Sequence, residues 1–361
     1  MTGHAAGHAV ERAHALLAAG RPQQAAAVLA PHLAERPDDA AALTVLAYCH
    51  RDGGDLTGAL EAADAALGAD PRYAQAWVVR AGLLARLSRA AEAEHAAREV
   101  IRLLPDNWAG YRTLGYVLLK ADDRGRRQET YRVALRAVEL GPEEAGNHFL
   151  VGLAAHRLGD TPTAQRAYER ALRLDPEDAA TRYNLSLLHM RGSRLRPRRW
   201  ARAVEGFADA AALDATDRSA PYNLQVMAWS VASGAGWAAL AGLVVAVVGT
   251  AGARDGGPLL PAVPVTAAAL AALGTGWALW NRSRTPPRLR RLLLTLARAS
   301  GPVRTMAYAA VLVACYDVAA VALPRADALL MGAAGDVALW TLLITRWLSH
   351  RALRRRKPAA G

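Results

Sequence analysis

The chain has 361 residues, 53% of them hydrophobic and 21% charged, with a formal net charge of +12. That length admits two or three domains, and two cysteines, Cys49 and Cys315, are too few for a readable disulfide framework. The basic excess sits in one half: residues 1–190 hold 22 basic and 24 acidic side chains, whereas residues 226–361 hold 15 and 4. A nucleic-acid footprint would place the excess on the polar half, so no nucleic-acid partner is expected.

The N-terminus, MTGHAAGHAVERAH, lacks a basic start followed by an apolar core, so it does not read as a secretory signal. Lysine occurs twice, at Lys120 and Lys357, and every other base is arginine. With abundant Ala, that composition is expected of a high-GC bacterial genome, such as an actinobacterial one.

Prolines then set a ruler. Pro37, Pro71 and Pro105 are 34 residues apart, Pro142 follows after 37, and Pro176 after another 34. Small and large residues recur in register with them. One unit carries Leu43, Leu46, Ala47, Ala59, Ala63 and Ala66; the next carries Trp77, Ala81, Leu84, Ala93 and Ala97. Then come Tyr111, Leu114, Gly115, Leu118, Ala134 and Ala137, followed by Gly152, Ala164, Tyr168 and Ala171. Two antiparallel helices per period explain the pattern. Small residues let the backbones approach, large ones fill the gap to the next unit, and proline ends the second helix because it cannot donate an interior hydrogen bond. A 34-residue period with this register resembles the tetratricopeptide repeat.

The resemblance implies an all-α chain: an N-terminal solenoid of about six helix-turn-helix repeats over residues 1–217. The first unit, 6–37, and the last, from Ala179, depart most, as capping units do. Extra residues near 122–127 and 191–199 are expected in loops between helices.

The second half is apolar. Runs at about 226–251, 258–280, 306–323 and 328–348 each approach the roughly 20 residues that span a bilayer, so four transmembrane helices are expected over 218–350. The short turns at Arg254/Asp255 and Arg325/Asp327 are neutral, whereas loop 281–305 and tail 351–361 are strongly basic. Positive loops stay in the cytoplasm, which predicts a multi-pass inner-membrane protein with both termini and the repeats inside. Within the basic loop, Leu289, Leu292, Leu293 and Leu296 form a helical stripe with Arg288, Arg291 and Arg298 off it. That pattern predicts an amphipathic helix meeting anionic headgroups, and Arg194, Arg196, Arg198 and Arg199 of the last repeat are expected to do the same.

Chemistry-bearing motifs are sparse. The sequence has no phosphate loop, no His-Glu-x2-His, no Cys-x2-Cys and no Gly-x-Ser-x-Gly. No catalytic residue, metal site or cofactor is expected. The repeat resemblance implies that first-helix positions line a peptide-binding groove; by register these are Arg51, Arg86, Arg112, Tyr116, Phe149, His156, Tyr183 and Met190. Cations beside aromatic surfaces suit an acidic or C-terminal peptide. The family's chaperone-binding carboxylate clamp has no counterpart, because Val10 and His14 occupy its first-unit positions. Asp317 and Asp336 lie in apolar runs on either side of one turn, and an intramembrane carboxylate is a functional candidate by default. The leading expectation is a membrane-anchored scaffold that recruits a protein. The alternative is a small transporter or channel subunit using Asp317 and Asp336.

Overall fold

The computed structural model describes residues 2–191, 193, 196–254, 259–285, 287–322 and 328–358, and its described regular elements are all helical. The chain divides into two compact units, Met1–Pro176 and Glu177–Gly361.

The first unit is five helix pairs: α1 Thr2–Ala18 with α2 Pro22–Glu35, α3 Ala40–Asp52 with α4 Leu56–Ala69, α5 Ala74–Arg86 with α6 Ala90–Leu103, α7 Trp108–Ala121 with α8 Arg127–Leu140, and α9 Ala145–Leu158 with α10 Thr161–Leu174. Each second helix ends two residues before a ruler proline. The turn that follows repeats one hydrogen bond: the Asp39, Tyr73, Asn107 and Glu144 amides donate to the carbonyls of Arg36, Asp70, Leu104 and Gly141. Asp39 and Asn107 then cap α3 and α7 by accepting from amides of the first turn. Within each pair, the chain reverses through a left-handed residue, and these recur at Gly20, Gly54, Ser88, Asp122 and Gly159.

Close packing explains the small residues. A Cβ at Gly115 would stand 2.5 Å from Leu150, and one at Gly152 would collide with the Tyr168 ring, which is fully buried. Ala59, Ala63, Ala81, Ala93 and Ala97 share one core with Leu83, Leu84, Leu114 and Leu118. First helices also touch the first helices of adjacent pairs, α1 to α3, α3 to α5, α5 to α7 and α7 to α9, so they form a common inner surface. The extra residues of the fourth pair fall in the loop before α8 as a 3-10 turn, Arg124–Arg126.

The second unit begins with another pair, α11 Ala179–Met190 and α12 Pro197–Leu213, and continues with α13 Ser219–Arg254, α14 Leu259–Arg284, α15 Pro287–Ala299, α16 Gly301–Ala322 and α17 Ala328–Arg355. Asp214 and Asp217 accept amides of the link, and α13 starts at Ser219, several residues before the apolar run. Its first turns pack with α12: Trp200, Val204 and Phe207 share one core with Leu224, Met227, Val303 and Met306. A Cβ at Gly236 would meet Met306 and Leu342, while Gly234 faces Trp277 and Gly242 faces Leu270 and Asp317. Those pairings make α14 antiparallel and α16 parallel to α13, and α17 is antiparallel too, since Trp229 bonds Ser349 where Gly236 meets Leu342.

Among the described residues, three helices are long and apolar enough to cross a membrane: Ser219–Val248, Val263–Arg284 and Gly301–Ala322. This corrects the expected four. The run at 328–348 forms helix α17, but the side chains of 328–333 lie outside the described residues, and over the described remainder Asp336, Arg346 and Arg351 interrupt its apolar character so that it does not qualify.

Candidate protein-binding face

The inner face of the first unit is built from α1, α3, α5, α7 and α9. On α3, Arg51 lies 4.7 Å from the Tyr48 ring centroid, and its Nε donates to Asp52 at 2.8 Å. Gln75 of α5 donates to the Tyr48 hydroxyl, joining adjacent first helices. Arg86 is exposed at the end of α5. On α7, Arg112 stacks at 4.1 Å on Trp108. A Cβ at Gly146 of α9 would come within 3.0 Å of Arg112 Nη1, so that glycine lets the guanidinium lie across the α7–α9 boundary. Burial pushes the Arg112 pKa below its ordinary value, and no carboxylate pairs with it among the described salt bridges. Tyr116, one turn further along α7, is 37% exposed.

Other expected groove residues serve packing. Phe149 is half-buried with its ring 5.9 Å from that of Tyr168. His156 is half-buried near the C-terminus of α9, where its carbonyl accepts the Gly159 amide. In the second unit, Tyr183 packs 5.6 Å from Phe207 and accepts a hydrogen bond from Asn223 at 3.0 Å, and Met190 packs against the same core. The register that selected these positions marks the helix face but not which side chains the core absorbs.

A second surface was not anticipated. Trp77, singled out for packing, borders an open hollow of about 600 Å³ with Asp64, Arg80, Glu92 and His95. Arg80 lies 5.7 Å from the Trp77 ring centroid and pairs with Asp64 at 2.6 Å, while His95 meets the ring edge-on at 6.2 Å. The signal was available: Arg80 is three residues after Trp77, one helical turn away on the same side.

The expected membrane-surface residues divide. Arg196 and Arg198 are exposed and Arg199 is half-buried; Arg194 and the Arg288 side chain lie outside the described residues. Arg291 and Arg298 are exposed on α15. The leucine stripe of that helix does not face outward. Leu289 and Leu293 are buried, and Leu292 and Leu296 are half-buried against α13 and α16, leaving Leu294 exposed. Arg284, counted with the loop charges, instead stacks between Trp200 of α12 and Trp280 of α14, at 5.1 and 5.4 Å.

Asp317 and Asp336 line different hollows. Asp317 is 4% exposed against Gly242, and its Oδ1 has no hydrogen-bond partner. Such a group costs about 1–3 kcal/mol when left unsatisfied. Asp336 is exposed on α17 beside Val337 and Trp340. Among the described residues no three His, Cys, Asp or Glu side chains cluster as metal ligands, and Cys49 and Cys315 are free.

The tetratricopeptide repeat family matches residues 10–74 and 58–108, and a second description of the same repeat matches 145–178. These helices are tetratricopeptide repeats. No curated protein sequence matches the chain. Among solved structures, the APC/C hetero-tetramer Cut9-Hcn1 superposes with a TM-score of 0.52 at 17% identity, over 60% of this chain and 41% of that one. The Pseudomonas aeruginosa pilF structure aligns at 18% identity over 59% of this chain and 94% of its own, with a TM-score of 0.47. YrrB, described as a TPR protein with an unusual peptide-binding site, aligns at 20% identity over 54% and 96%, with a TM-score of 0.36. At such identities the likeness concerns the fold alone. A tetratricopeptide solenoid followed by apolar helices is consistent with a membrane-associated protein-interaction module.

Proposed function

We propose that the chain is a membrane-anchored scaffold or assembly factor whose repeats recruit a protein partner through the α3–α9 inner face. The observation that carries this reading is Arg112, a half-buried cation stacked on Trp108 with no salt bridge among the described residues and only the Glu144 carboxylate acting on it at longer range, beside exposed Tyr116. A desolvated cation on an aromatic platform favours an acidic ligand, and Arg86 adds charge on the same row of helices, where Arg51 shares its own with Asp52. The partner is therefore an acidic protein segment.

The host membrane is the bacterial inner membrane, with both termini on the cytoplasmic side. This orientation requires α17 to return across the bilayer although its described part is not apolar enough to qualify alone; support comes from loop charge and from the antiparallel packing of α17 beside α13. Trp229 Nε1 of α13 donates to Ser349 Oγ at 2.9 Å, and Arg346 stacks on Trp229 and Trp237, so the tail returns to the level where α13 begins. On that side Arg196, Arg198, Arg199, Arg291 and Arg298 attract anionic headgroups by about 1 kcal/mol each, within a Debye length. The arginine bias favours a high-GC bacterial source. A transporter reading retains Asp317, which is buried at a helix crossing, but not a shared site with Asp336.

The test is a photoreactive residue at Tyr116 in the full chain in bacterial membranes, with Arg132 on the exposed side of α8 as control. A discrete protein adduct should form from Tyr116 only, be competed by polyglutamate, and weaken in Arg112→Glu. Absence of that adduct, or equal capture from Arg132, would remove the inner face as the recruiting surface.

A further inference from the structure

A crevice of about 1050 Å³ runs between α13, α14, α15 and α16. Its walls are small and apolar: Ala235 and Ala239 on α13, Gly274 and Ala278 on α14, Ala310 and Ala314 on α16. The space exists because α14 stands off its neighbours. Only 6% of its apolar stretch is buried, against 33% for α13 and 39% for α16. A side chain at Gly274 would meet nothing within 4 Å. Helices packed through small residues normally close on one another; here that closeness is absent along one wall.

The two ends differ in charge. Asn281, Arg282, Thr285 and Arg290 border one end. Arg290 donates through Nε to the Thr285 carbonyl at 2.9 Å and through Nη2 to the Arg282 carbonyl at 2.8 Å, which fixes its planar group there. Asp317, the one carboxylate among the lining residues, lies at the other end beside Gly242 and Leu270. From Leu270 to Arg282 the helix rises about 18 Å, somewhat more than half the roughly 30 Å hydrocarbon core.

We propose that this crevice holds one hydrocarbon chain of an anionic phospholipid, with its headgroup phosphate received by Arg282 and Arg290. Guanidinium groups match phosphate oxygens in fork geometry, and basic pockets between membrane helices bind such headgroups. The separation of charge orients the lipid. Its negative head goes to the arginine end, and its uncharged tail points towards Asp317, where a phosphate would be repelled. The length suits a chain from a single leaflet. This site is distinct from the surface attraction of the exposed loop arginines, because it requires the tail to enter the protein. It depends on the apolar helices lying in a membrane and not on what the repeats bind.

The test uses the delipidated full chain in detergent, titrated with phosphatidylglycerol or phosphatidylcholine of identical chains and read by native mass spectrometry. Wild type should retain phosphatidylglycerol over phosphatidylcholine by roughly tenfold or more. The double variant Arg282→Gln/Arg290→Gln should reduce that preference to near parity. Gly274→Leu should lower retention of both lipids, since it fills the crevice from open space. Ala278→Leu repeats the blockage from the next turn, and circular dichroism identifies which filled variant keeps its helicity. Excess inorganic phosphate should leave retention unchanged. Undiminished retention in a folded, filled variant, or undiminished preference in the double variant, overturns the proposal. Displacement by inorganic phosphate alone does so too, because it indicates an anion site without a chain.

Discussion

Single residues show how tightly the repeats are set. The left-handed position that reverses each pair is glycine at Gly20, Gly54 and Gly159, but Ser88 adopts φ 62° and Asp122 φ 49°. A left-handed residue with a Cβ costs about 1–2 kcal/mol, and glycine loses part of that advantage through its greater unfolded-state freedom. Ser88→Gly should therefore stabilise the repeat unit by roughly 0.5–1 kcal/mol, measured as a higher urea midpoint with unchanged slope. Gly152 works in the opposite sense. Its missing Cβ is the space the Tyr168 ring occupies, so Gly152→Leu should cost about 1–3 kcal/mol from overpacking. The helix-propensity gain of up to about 1 kcal/mol is too small to reverse the sign. An unchanged midpoint for Gly152→Leu would mean that the α9–α10 crossing is looser than the packing indicates. Gly152 was legible in the sequence as a periodic small residue. The strain at Ser88 was not, because serine carries no signature of positive φ.

At the level of elements, the loop before α8 was legible as extra residues against a fixed period. Its anchoring was not, since the partner is 32 residues away. Arg126 donates through Nη1 and Nη2 to Glu94 of α6 at 2.7 Å, and through Nε to Glu129 at 2.8 Å. The side-chain hydrogen bond from Arg126 is the main cause holding the Glu94 pKa below its ordinary value of 4.5, with Arg98 adding to it, and Glu129 is lowered by the same guanidinium. A depressed carboxylate contributes stability above its unfolded pKa and loses it as pH falls through the folded value. Urea unfolding of residues 1–176 should thus weaken progressively below about pH 4.5, and Glu94→Gln should flatten that acid limb. Arg126→Ala should cost about 1 kcal/mol at pH 7, a figure kept small because the groups are partly solvated. A pH profile identical in Glu94→Gln and wild type would show that other carboxylates carry the acid sensitivity. The helix α15 carries a related lesson. Its leucine periodicity was read correctly as amphipathic, but periodicity cannot say whether the apolar face meets lipid or protein, and here it meets α13 and α16.

For the whole molecule, the repeat pattern alone places the boundary after residue 217, whereas contacts divide the chain after Pro176. The reason lies in α12. Its small-and-large pattern continues that of the repeats, yet Trp200, Val204 and Phe207 complete a core with α13, α15, α16 and Leu353 of α17. Trp200 also receives Arg284 on its ring. No pattern within the repeats encodes a partner more than 80 residues away, so this coupling was illegible in sequence. It makes a prediction about fragments. Residues 1–176 expressed alone should be soluble, monomeric and cooperative in unfolding, because repeats need only their neighbours. Residues 1–217 should behave worse despite carrying one more helix pair. Cutting there strips the cover from Trp200, Val204 and Phe207, each of which gains about 1.5–3 kcal/mol from full burial. The longer fragment should bind a hydrophobic dye, elute as oligomers, and show Trp200 emission shifted to the red. A Trp200→Phe control isolates that emission from Trp77 and Trp108. If the 1–217 fragment is instead monomeric with a blue, buried Trp200 signal, the last pair completes the solenoid on its own and the membrane unit begins at α13.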